Sequence, residues 1–572
     1  MTVRLILTAL LCLVNILCHA QVTDMPVYND IMSESENSQE WQIAMDFLNS
    51  KGVTPSALGQ TIALETLVVF TDKRAQAYAV VVRKDYQPYI DKPVLAWGVG
   101  DLLLKSAGVL QYNDDNHLLG LYDDLLQQYK GKHIVYKSPV KNALWNHPDG
   151  VAPLLGDIKY GQEAPYNKKF PMQASNGKLV PCVVGCGPVA LAQVLAYYHS
   201  ATRPTGTASI HSGAGYVYKV NLSNYEFSWS GGENELANLM VCSAASVNAT
   251  VTPEGSSSGL AIFKQALLNH WHYSPKCTYM RKRSDMELLT SVYSEIDRQR
   301  PVIVADSTHM YVCDGYYQDY IHLNLGWDGY GNGYYRAIIS DSGEDDLLPF
   351  NEIMTGLKPL EQSDMVVLDI KFDHPGQLGR ILTAEQRETV TTLRVSGYLN
   401  GDDLAIIRQM AGAAPSPDKS MEHGSLMDLD ISGATIVKGG CYVTRSANKM
   451  VVSGSITSGK QKVKYSYDLS NLKPGQWKEM QDRGLTNKPA RVIRADGKGN
   501  YTVSWHATDS TIGPYMFDGC DNLCRIVLPR NIKSVKENAF FGCISLDRVE
   551  GLPSDVSPKA FNNSKFNLPT SQ

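Results

Sequence analysis

The chain is short of charged residues, of phenylalanine and of long hydrophobic runs. Charged side chains make up 19% of its 572 residues, against about 25% in typical domains, and 12 Phe accompany 31 Tyr. Hydrophobic residues still reach 43%, which excludes intrinsic disorder as well as collagen-like and coiled-coil chains. A net charge of -5 provides no basic field for phosphate backbones or anionic lipids, so the composition argues against nucleic-acid binding. We expect proteins or small molecules as partners.

The one strongly apolar stretch lies at the N-terminus. Arg4 precedes an apolar run over 5–17, and small residues stand where a signal peptidase would cut after Ala20. A core of about 13 residues is too short to span a bilayer of ~30 Å, and no later stretch approaches ~18 apolar residues. The pattern predicts a signal peptide over 1–20, no transmembrane segment, and a secreted protein that is either free or held at the cell surface. A lipoprotein anchor at Cys18 is the alternative, and it ranks second because residues 15–17 are not small.

An odd number of cysteines follows the predicted signal peptide. Cys12 and Cys18 leave with the signal, so nine of the 11 cysteines remain. A disulfide framework would show a higher density and an even number, so at least one thiol is free in an exported protein. Zinc is a poor alternative, because Cys182 and Cys186 lack a second ligand pair at finger-like spacing. His270 and His272 alternate as in any strand or helix end, which favours a structural interpretation for them.

The length predicts roughly three or four domains at about 100–200 residues each. The first is a small α+β domain with strands over Ala63–Phe70 and Ala77–Val82 and a helix over His117–Tyr129. Residues near 130–150 carry Lys, His, Asn, Pro and Gly without apolar periodicity, as an exposed and cleavable connector would.

A second α+β domain of catalytic size follows over 160–370. Its sequence predicts a helix over Pro188–Tyr198 and strands within Pro301–Val312 and Tyr320–Leu325. After Asp373 the chain turns to short Leu-rich strands separated by Gly, Asn and Asp.

The C-terminal segment contains a repeat. Residues Met516–Cys520 recur 23 residues later as Ala539–Cys543, and more weakly 21 residues after that as Ala560–Ser564. This period is typical of leucine-rich repeats, in which each unit supplies one short strand and a turn. Stacked units bury apolar surface that a single unit would leave exposed.

Cys186 has the surroundings of a reactive thiol. Gly185 and Gly187 flank it, and an amphipathic helix with Pro188 in its first turn follows at once. Unpaired amide donors and the positive end of the helix dipole favour a thiolate, so we expect a lowered pKa for Cys186. The alternative is a small buried cysteine that caps a core helix.

His309 and Asn324 supply the second half of this constellation. They lie on two successive predicted strands separated by a Gly turn, and His309 follows Cys186 by 123 residues, in the manner of papain-like enzymes. We expect His309 to take the thiol proton and later to protonate the leaving amine. Asn324 would fix the imidazole by accepting from its other N–H, and Trp327 would shield the pair.

Several stretches together carry a family resemblance. Besides the Cys, His and Asn segments, Tyr160–Asn167 looks like a characteristic opening, and residues 154–360 as a whole resemble the streptopain family of secreted bacterial cysteine peptidases. The resemblance implies a papain-like fold and an oxyanion-hole role for Gln162. Its side-chain amide would act with the backbone N–H of Cys186, and removing one such donor typically costs about 3–4 kcal/mol.

The resemblance also implies a substrate cleft. The stretch 239–268 is similar to the segment that lines the cleft in the family, and the candidate cleft residues are Gly185, Ser257, Ser258, Gly259, Thr308 and Trp327. Ser257 also stands in a formal G-x-S-x-G match, but Thr-Pro-Glu precedes that match instead of an apolar strand. This context disfavours a serine hydrolase.

Three positions depart from the family pattern. Gly187-Pro188-Val189 replaces a Val-Ala-Thr run, Thr308 replaces the Gly before the catalytic His, and Leu325 replaces the first Trp of an Asn-Trp-Gly-Trp run. We expect Thr308 to narrow the cleft beside His309. Leu325 still covers the Asn-His pair with apolar surface.

The flanking segments resemble other parts of known proteins. Ala77–Asp85 and Val94–Gly98 are similar to the inhibitory pro-domain of the family, so the resemblance implies that residues 21–150 form a pro-domain with its connector. Activation would require a cut between about Lys130 and Ala152, where Lys137, Lys141 and His147 lie. Residues 380–572 resemble the leucine-rich repeats of BspA-like bacterial surface proteins.

Together these features predict an α+β protein with a papain-like catalytic domain over 151–370, a small α+β pro-domain and a leucine-rich-repeat solenoid. The favoured function is a secreted cysteine endopeptidase made as a zymogen, without a cofactor or metal. Its partners would be protein or peptide substrates, its own pro-domain as inhibitor, and a protein ligand of the repeats. The alternative is a non-catalytic adhesin or protein-binding scaffold that acts through the repeats, which themselves are either a binding surface or a structural appendage.

Overall fold

The computed structural model describes residues 38–72, 74, 76–100, 117–128, 130–131, 133–135, 150–199, 202–281, 284–340, 346–413, 424–447, 450–458, 461–473, 475–497, 499–566 and 568. The predicted signal peptide and most of the predicted connector, with Lys137, Lys141 and His147, lie outside these residues. Two compact units divide the chain, the first formed by Met1–Tyr136 with Tyr330–Leu347 and the second by Lys137–Gly329 with Leu348–Gln572.

The first unit is an α+β unit with an antiparallel sheet. The strands follow the order Leu58–Ala63, Leu67–Asp72, Ala77–Val82, Val94–Val99 and Gly333–Arg336. A smaller sheet joins Ile134–Val135, Ile338–Ser340 and Asp346–Leu347. The helices are Gln39–Ser50 and His117–Gln128, with a 3-10 turn at Gln87–Tyr89. Every residue of the strand Ala77–Val82 is buried, so the core of this unit lies on the sheet.

The prediction of one strand over Ala63–Phe70 was wrong, because the chain turns back within it. The N–H of Leu64 donates to the carbonyl of Leu67 (2.8 Å), which closes a hairpin. The turn is held from outside by Asp123, whose carboxylate accepts from both the N–H (2.8 Å) and the hydroxyl (2.7 Å) of Thr66. A tertiary contact 57 residues away in sequence therefore fixes a turn that local apolarity conceals.

One strand of the first unit comes from far along the chain. In Gly333–Arg336, Tyr334 stacks on Trp97 with ring centroids 4.6 Å apart. The guanidinium of Arg336 is buried and donates from Nε to the carbonyl of Val94 (3.1 Å). The segment after the candidate site residues is thus built into the same unit as the N-terminal strands.

The peptidase-like part of the second unit combines helices with a central antiparallel sheet. Its helices are Cys186–Tyr198, Glu233–Ser246, Phe263–His270 and Asp285–Asp297, with 3-10 turns at Leu222–Asn224 and Leu260–Ile262. Within this unit the central strands follow the order Tyr320–Asn324, Met310–Tyr317, Val302–Ala305, Glu352–Thr355 and Thr278–Arg281. A smaller sheet orders Ser256–Ser257, Thr250–Val251, Thr207–Ser212 and Val217–Asn221, beside a hairpin of Met172–Ser175 and Lys178–Pro181.

The C-terminal part of the second unit stacks parallel strands. One sheet orders Val367–Phe372, Thr392–Leu399, Asp428–Ile436, Arg525–Val527 and Arg548–Glu550, and a second orders Thr511–Ile512, Ser534–Val535 and Asp555–Val556. The helices are Leu378–Ile381, Ala384–Thr389, Gly401–Met410 and Gln476–Asp482. Antiparallel strands interrupt the stack, namely Gly439–Ser446, Val451–Ser458, Gln461–Asp468, Asn487–Lys488, Arg491–Ala495 and Tyr501–Ala507.

The α+β class is confirmed, and the helix predicted over Pro188–Tyr198 begins two residues earlier, at Cys186. Among the helices of the described residues, none has both the length and the apolar character needed to cross a bilayer.

The predicted repeat is visible as a column of aromatic rings. Phe517 and Phe540 stack with centroids 5.1 Å apart, and Phe540 and Phe561 stack at 4.9 Å. These phenylalanines hold the same position in the three copies found in the sequence. Each ring fills space that its own repeat leaves open, which is why single repeats are not stable alone.

We predict that Phe540→Ala destabilises the repeats strongly, because it empties the middle of this column. Truncating a fully buried phenylalanine typically costs about 3–5 kcal/mol. Chemical denaturation of the full chain measures the loss. The matched control is Phe541→Ala at a half-buried neighbour, for which we expect a smaller loss; equal losses would contradict a stacked core.

Candidate functional site

Cys186 is the first residue of a buried helix. The helix Cys186–Tyr198 has residues 187–196 buried, and His199 ends it in a left-handed conformation. Gly185 precedes it with φ 89° and ψ 155°, a conformation open essentially to glycine alone. The backbone therefore turns sharply into the helix at the cysteine.

A serine segment packs directly against this turn. A side-chain Cβ at Gly185 would lie 1.4 Å from Oγ of Ser256, and one at Gly187 would lie 2.4 Å from Oγ of Ser258. The glycines on either side of Cys186 are thus required by contact with the strand Ser256–Ser257 and the residue after it. Sequence analysis selected Ser258 for the cleft but missed Ser256, because only the fold brings it to Gly185.

Ser257 and Gly259 occupy more open positions. Ser257 is exposed on a short strand, paired with Thr250, and Gly259 is exposed at the start of the 3-10 turn Leu260–Ile262. Ser257 is not at the strand–turn–helix elbow of a serine hydrolase. Its neighbours Ser256 and Ser258 are the residues whose hydroxyls approach Gly185 and Gly187.

His309 stands at the end of a tight turn between two sheet strands. The carboxylate of Asp306 accepts from the N–H of Thr308 (2.6 Å), from its hydroxyl (2.8 Å) and from the N–H of His309 (2.8 Å). The N–H of Asp306 in turn donates to the carbonyl of His309 (3.0 Å). The turn fixes the backbone of His309, and Thr308 itself is exposed.

The imidazole of His309 is held by aromatic rings and by one carbonyl. Its centroid lies 4.7 Å from that of Trp327 and 5.5 Å from that of Tyr311. Nε2 lies 2.9 Å from the carbonyl oxygen of Leu325. When Nε2–H donates to this oxygen, Nδ1 is the acceptor nitrogen of the ring.

Asn324 is buried, and its side chain binds backbone groups of Ile158 and Gly326. Its Nδ2 donates to the carbonyl of Ile158 (2.8 Å), and its Oδ1 accepts from the N–H of Gly326 (3.2 Å). That the Asn324 side chain accepts from the imidazole of His309 stays a prediction, and Nε2 of His309 lies 2.9 Å from the backbone oxygen of Leu325. Asn324 shapes the turn that presents this oxygen.

Gln162 is brought next to the cysteine through its backbone. Its carbonyl accepts from the N–H of Val184 (3.0 Å), two residues before Cys186, and its side chain is half-buried. The same segment reaches the Trp327 loop, because the N–H of Asp328 donates to the carbonyl of Tyr160 (3.0 Å) and the Tyr166 hydroxyl donates to the Asp328 carboxylate (2.8 Å).

Cys186 is half-buried, and the protein around its thiol raises the pKa of the thiol by desolvation. The backbone N–H groups of Met310 and Gly187 act in the opposite direction but do not outweigh burial. The expectation of a lowered pKa was therefore wrong for the intact chain, because the helix start lies inside the protein. The Met310 contact brings the thiol to the residue that follows His309.

All nine cysteines that follow the predicted signal peptide are free thiols. Four of the cysteines in the peptidase-like part are buried, namely Cys182, Cys242, Cys277 and Cys313, whereas Cys186 is half-buried.

Comparison with known proteins decides the family of this region. Residues 160–335 match the Peptidase C10 family. These residues form a C10 domain, a cysteine-type peptidase domain. Residues 501–568 match the BspA type leucine rich repeat region in six copies. Both resemblances inferred from the sequence are thus confirmed.

Solved structures from Prevotella intermedia are also similar to the chain. A mutant prointerpain A fragment is 20% identical, covers 53% of this chain and 98% of its own, and gives a TM-score of 0.42. Active wild-type interpain A cysteine protease is 23% identical, covers 38% of this chain and 98% of its own, and gives a TM-score of 0.32. No curated protein matches the chain.

We predict that Gly185→Ala reduces both stability and the reactivity of Cys186. An alanine in this backbone conformation costs about 1–3 kcal/mol, and its methyl group would collide with Ser256. Denaturation and iodoacetamide labelling of Cys186, read by mass spectrometry, measure the two effects.

Gly215→Ala is the matched control, since Gly215 has φ 87° and nothing lies within 4 Å of a Cβ there. Gly215→Ala should lower stability through backbone strain and should leave the labelling of Cys186 unchanged. Wild-type labelling of Gly185→Ala would contradict the packing described above.

Proposed function

We propose that the chain is a secreted cysteine endopeptidase, made as a zymogen, with Cys186 as nucleophile and His309 as general base. The observation that carries the proposal is that the start of the helix Cys186–Tyr198 lies against the start of the strand Met310–Tyr317. Sδ of Met310 lies 3.4 Å from the place where a Cβ at Gly187, the residue after Cys186, would be, and the Met310 backbone acts to lower the pKa of the Cys186 thiol. His309 directly precedes Met310 and has its Nε2 at the Leu325 carbonyl.

The proton transfer follows from this arrangement. Since burial raises the pKa of the Cys186 thiol, the nucleophile is protonated at neutral pH and depends on a base at the moment of attack. With Nε2–H engaged by Leu325, Nδ1 of His309 takes the proton and later gives it to the leaving amine. Trp327 covers the ring and keeps water from it.

The negative charge that develops on the scissile carbonyl oxygen needs its own hydrogen-bond donors. The backbone N–H of Cys186, at a helix start, is one, and the side-chain amide of Gln162 is the second. The hydrogen bond between the Gln162 carbonyl and the Val184 N–H supports this role, because it ties the two donors to one piece of backbone. Asn324 acts as the positioning residue of the turn that carries the Leu325 carbonyl.

The wall beside the thiol would bind substrate. Gly185, Ser258, Gly259 and Trp327 line it together with Ser256, and the exposed Thr308 narrows it beside His309. The chemistry uses side chains and backbone N–H groups of the protein and needs no cofactor. The substrates are proteins or peptides, as the C10 domain implies.

Secretion and zymogen activation complete the proposal. The signal peptide over 1–20 directs export, and residues 21–150 act as the inhibitory pro-domain until the connector is cut. A cut before Gly150 is supported by the way the chain continues. Val151 exchanges backbone hydrogen bonds with Tyr316 (2.9 and 3.0 Å), so the peptidase part is anchored from this residue onward.

The rival function is a non-catalytic adhesin or scaffold acting through the repeats. A protein ligand of the repeats is compatible with either function. The Cys186, His309 and Gln162 arrangement favours the enzyme, because a binding scaffold has no need of a half-buried thiol beside a fixed imidazole.

We predict that residues 21–572, incubated with a thiol reductant, shorten to a product that starts near residue 150 and digest an unfolded protein. Cys186→Ala and His309→Ala should do neither, because each removes one partner of the proton transfer. Cys441→Ala, at another half-buried free thiol outside residues 160–335, is the control that should remain active. Gel electrophoresis follows processing, and a labelled unfolded protein reports hydrolysis.

Activity that persists in Cys186→Ala would refute the assignment of the nucleophile. If the wild-type chain is silent, the test is repeated with residues 21–150 removed by an added protease; silence there as well would leave the repeats as the functional part.

A further inference from the structure

One buried polar side chain of the helix that begins at Cys186 has no part in the reaction described so far. Residues 187–196 of this helix are all buried, and Gln193 is the single polar side chain among them. Gln193 follows Cys186 by seven residues, which is nearly two turns, so it lies on the same face of the helix about 10 Å along the axis. A polar group buried in this way calls for a physical reason.

The side-chain amide of Gln193 makes one of its possible contacts. Its Oε1 accepts from the backbone N–H of Tyr160 (3.1 Å). Its Nε2 is buried and has no hydrogen-bond partner among the residues that the structure describes. A buried donor without a partner is unfavourable, and an apolar side chain would avoid that cost. The contact with Tyr160 is therefore what a glutamine supplies here and an apolar residue cannot.

Tyr160 stands two residues before Gln162, the proposed side-chain donor of the oxyanion hole. Both backbone groups of Tyr160 are bound, because its N–H donates to Gln193 and its carbonyl accepts from the N–H of Asp328 (3.0 Å). The carbonyl of Gln162 accepts from the N–H of Val184 (3.0 Å). The short segment that carries the donor is thus fixed at both ends, and Gln193 supplies a link at the first.

The residue between these two anchors is tightly enclosed. A Cβ at Gly161 would lie 3.0 Å from the ring of Tyr166 and 3.2 Å from Cβ of Asp328, which is closer than ordinary van der Waals contact. The hydroxyl of Tyr166 donates to the carboxylate of Asp328 (2.8 Å), which ties the two neighbours of Gly161 together. The position of the Tyr160 backbone is therefore passed on to Gln162.

A second side-chain amide binds the same stretch of chain. Nδ2 of Asn324 donates to the carbonyl of Ile158 (2.8 Å). The turn after Asn324 packs on the helix Cys186–Tyr198, because a Cβ at Gly326 would lie 3.0 Å from Cγ1 of Val189. Residues 158–160 are thus held both from this helix, by Gln193, and from the end of the strand that contains Asn324.

We propose that Gln193 is a positioning residue of the oxyanion hole: it binds the N–H of Tyr160 and thereby sets the place of the Gln162 amide relative to the N–H of Cys186. The start of the helix supplies one donor, and two turns later the same helix supplies the side chain that aligns the other. Both donors are therefore held by one buried helix. The inference rests on the proposed roles of Cys186 and Gln162.

The test replaces Gln193 by methionine in residues 21–572. Gln193→Met keeps the length of the side chain and removes both the acceptor for Tyr160 and the unpaired Nε2 donor, so we expect a melting temperature close to that of the wild type. Hydrogen exchange of the Tyr160 amide should become faster. For hydrolysis of labelled, unfolded casein by the processed chain we expect kcat to fall at least about ten-fold and KM to change less than about two-fold.

Alkylation of Cys186 by iodoacetamide separates positioning from general damage. The thiol displaces iodide from a saturated carbon, so this reaction needs the thiol and its base but no oxyanion hole. Gln193→Met should therefore alkylate Cys186 at the wild-type rate while it hydrolyses casein slowly. An unchanged kcat would overturn the proposal. A parallel fall of both rates would also overturn it, because Gln193 would then only support the helix.

Two further variants test whether Gln193 acts through Gln162. In a Gln162→Ala chain, Gln193→Met should lower kcat by no more than about two-fold further, because both changes remove the same donor. Losses that multiply in full would contradict a shared role. Leu195→Met is the matched control, at a buried position about 200° around the same helix, and it should leave kcat and the exchange of the Tyr160 amide unchanged.

The outcomes can be told apart from those of the functional proposal. A wild-type chain that hydrolyses nothing, even with residues 21–150 removed, would refute the functional proposal. Exchange of the Tyr160 amide would still decide whether Gln193 holds the segment that carries Gln162, and wild-type exchange in Gln193→Met would overturn that contact.

Discussion

Burial of the helix Cys186–Tyr198 is the constraint on which the candidate site depends. Because residues 187–196 face the interior, the helix has no freedom to rotate, and its first residue is fixed in space. The same burial raises the pKa of the Cys186 thiol, so the site cannot rely on a preformed thiolate in the intact chain. The position and the pKa of the candidate nucleophile therefore come from one cause. A protonated thiol needs a base nearby, and His309, directly before the strand Met310–Tyr317, is the proposed one.

Much of this site could be predicted from local sequence. Gly185 and Gly187 around a cysteine indicate the start of a helix. A predicted strand with a histidine, followed by a predicted strand with an asparagine, indicates the candidate base for that cysteine. What local sequence could not show were contacts between distant segments. Ser256 reaches Gly185 only through the small sheet, and the oxygen at His309 belongs to the backbone of Leu325, which leaves no trace in side-chain identity.

The same distinction holds for the fold. The repeat was predictable because Phe517 and Phe540 recur at a fixed interval and stack on each other. The hairpin at Thr66 was missed because a distant aspartate holds it, and the strand Gly333–Arg336 could not be assigned to the first unit from its own sequence. The antiparallel strands within 439–507 lie inside the range 380–572 whose sequence resembles leucine-rich repeats.

The central claim is that Cys186 is activated by His309, and labelling with a peptidyl epoxide tests it most directly. Such a probe alkylates a cysteine only when the thiol attacks in a substrate-like pose, and mass spectrometry identifies the residue modified. We predict a single adduct on Cys186 among the nine free cysteines of the processed chain, lost in His309→Ala. Adducts spread over other cysteines, or labelling of Cys186 that is indifferent to His309→Ala, would contradict the account.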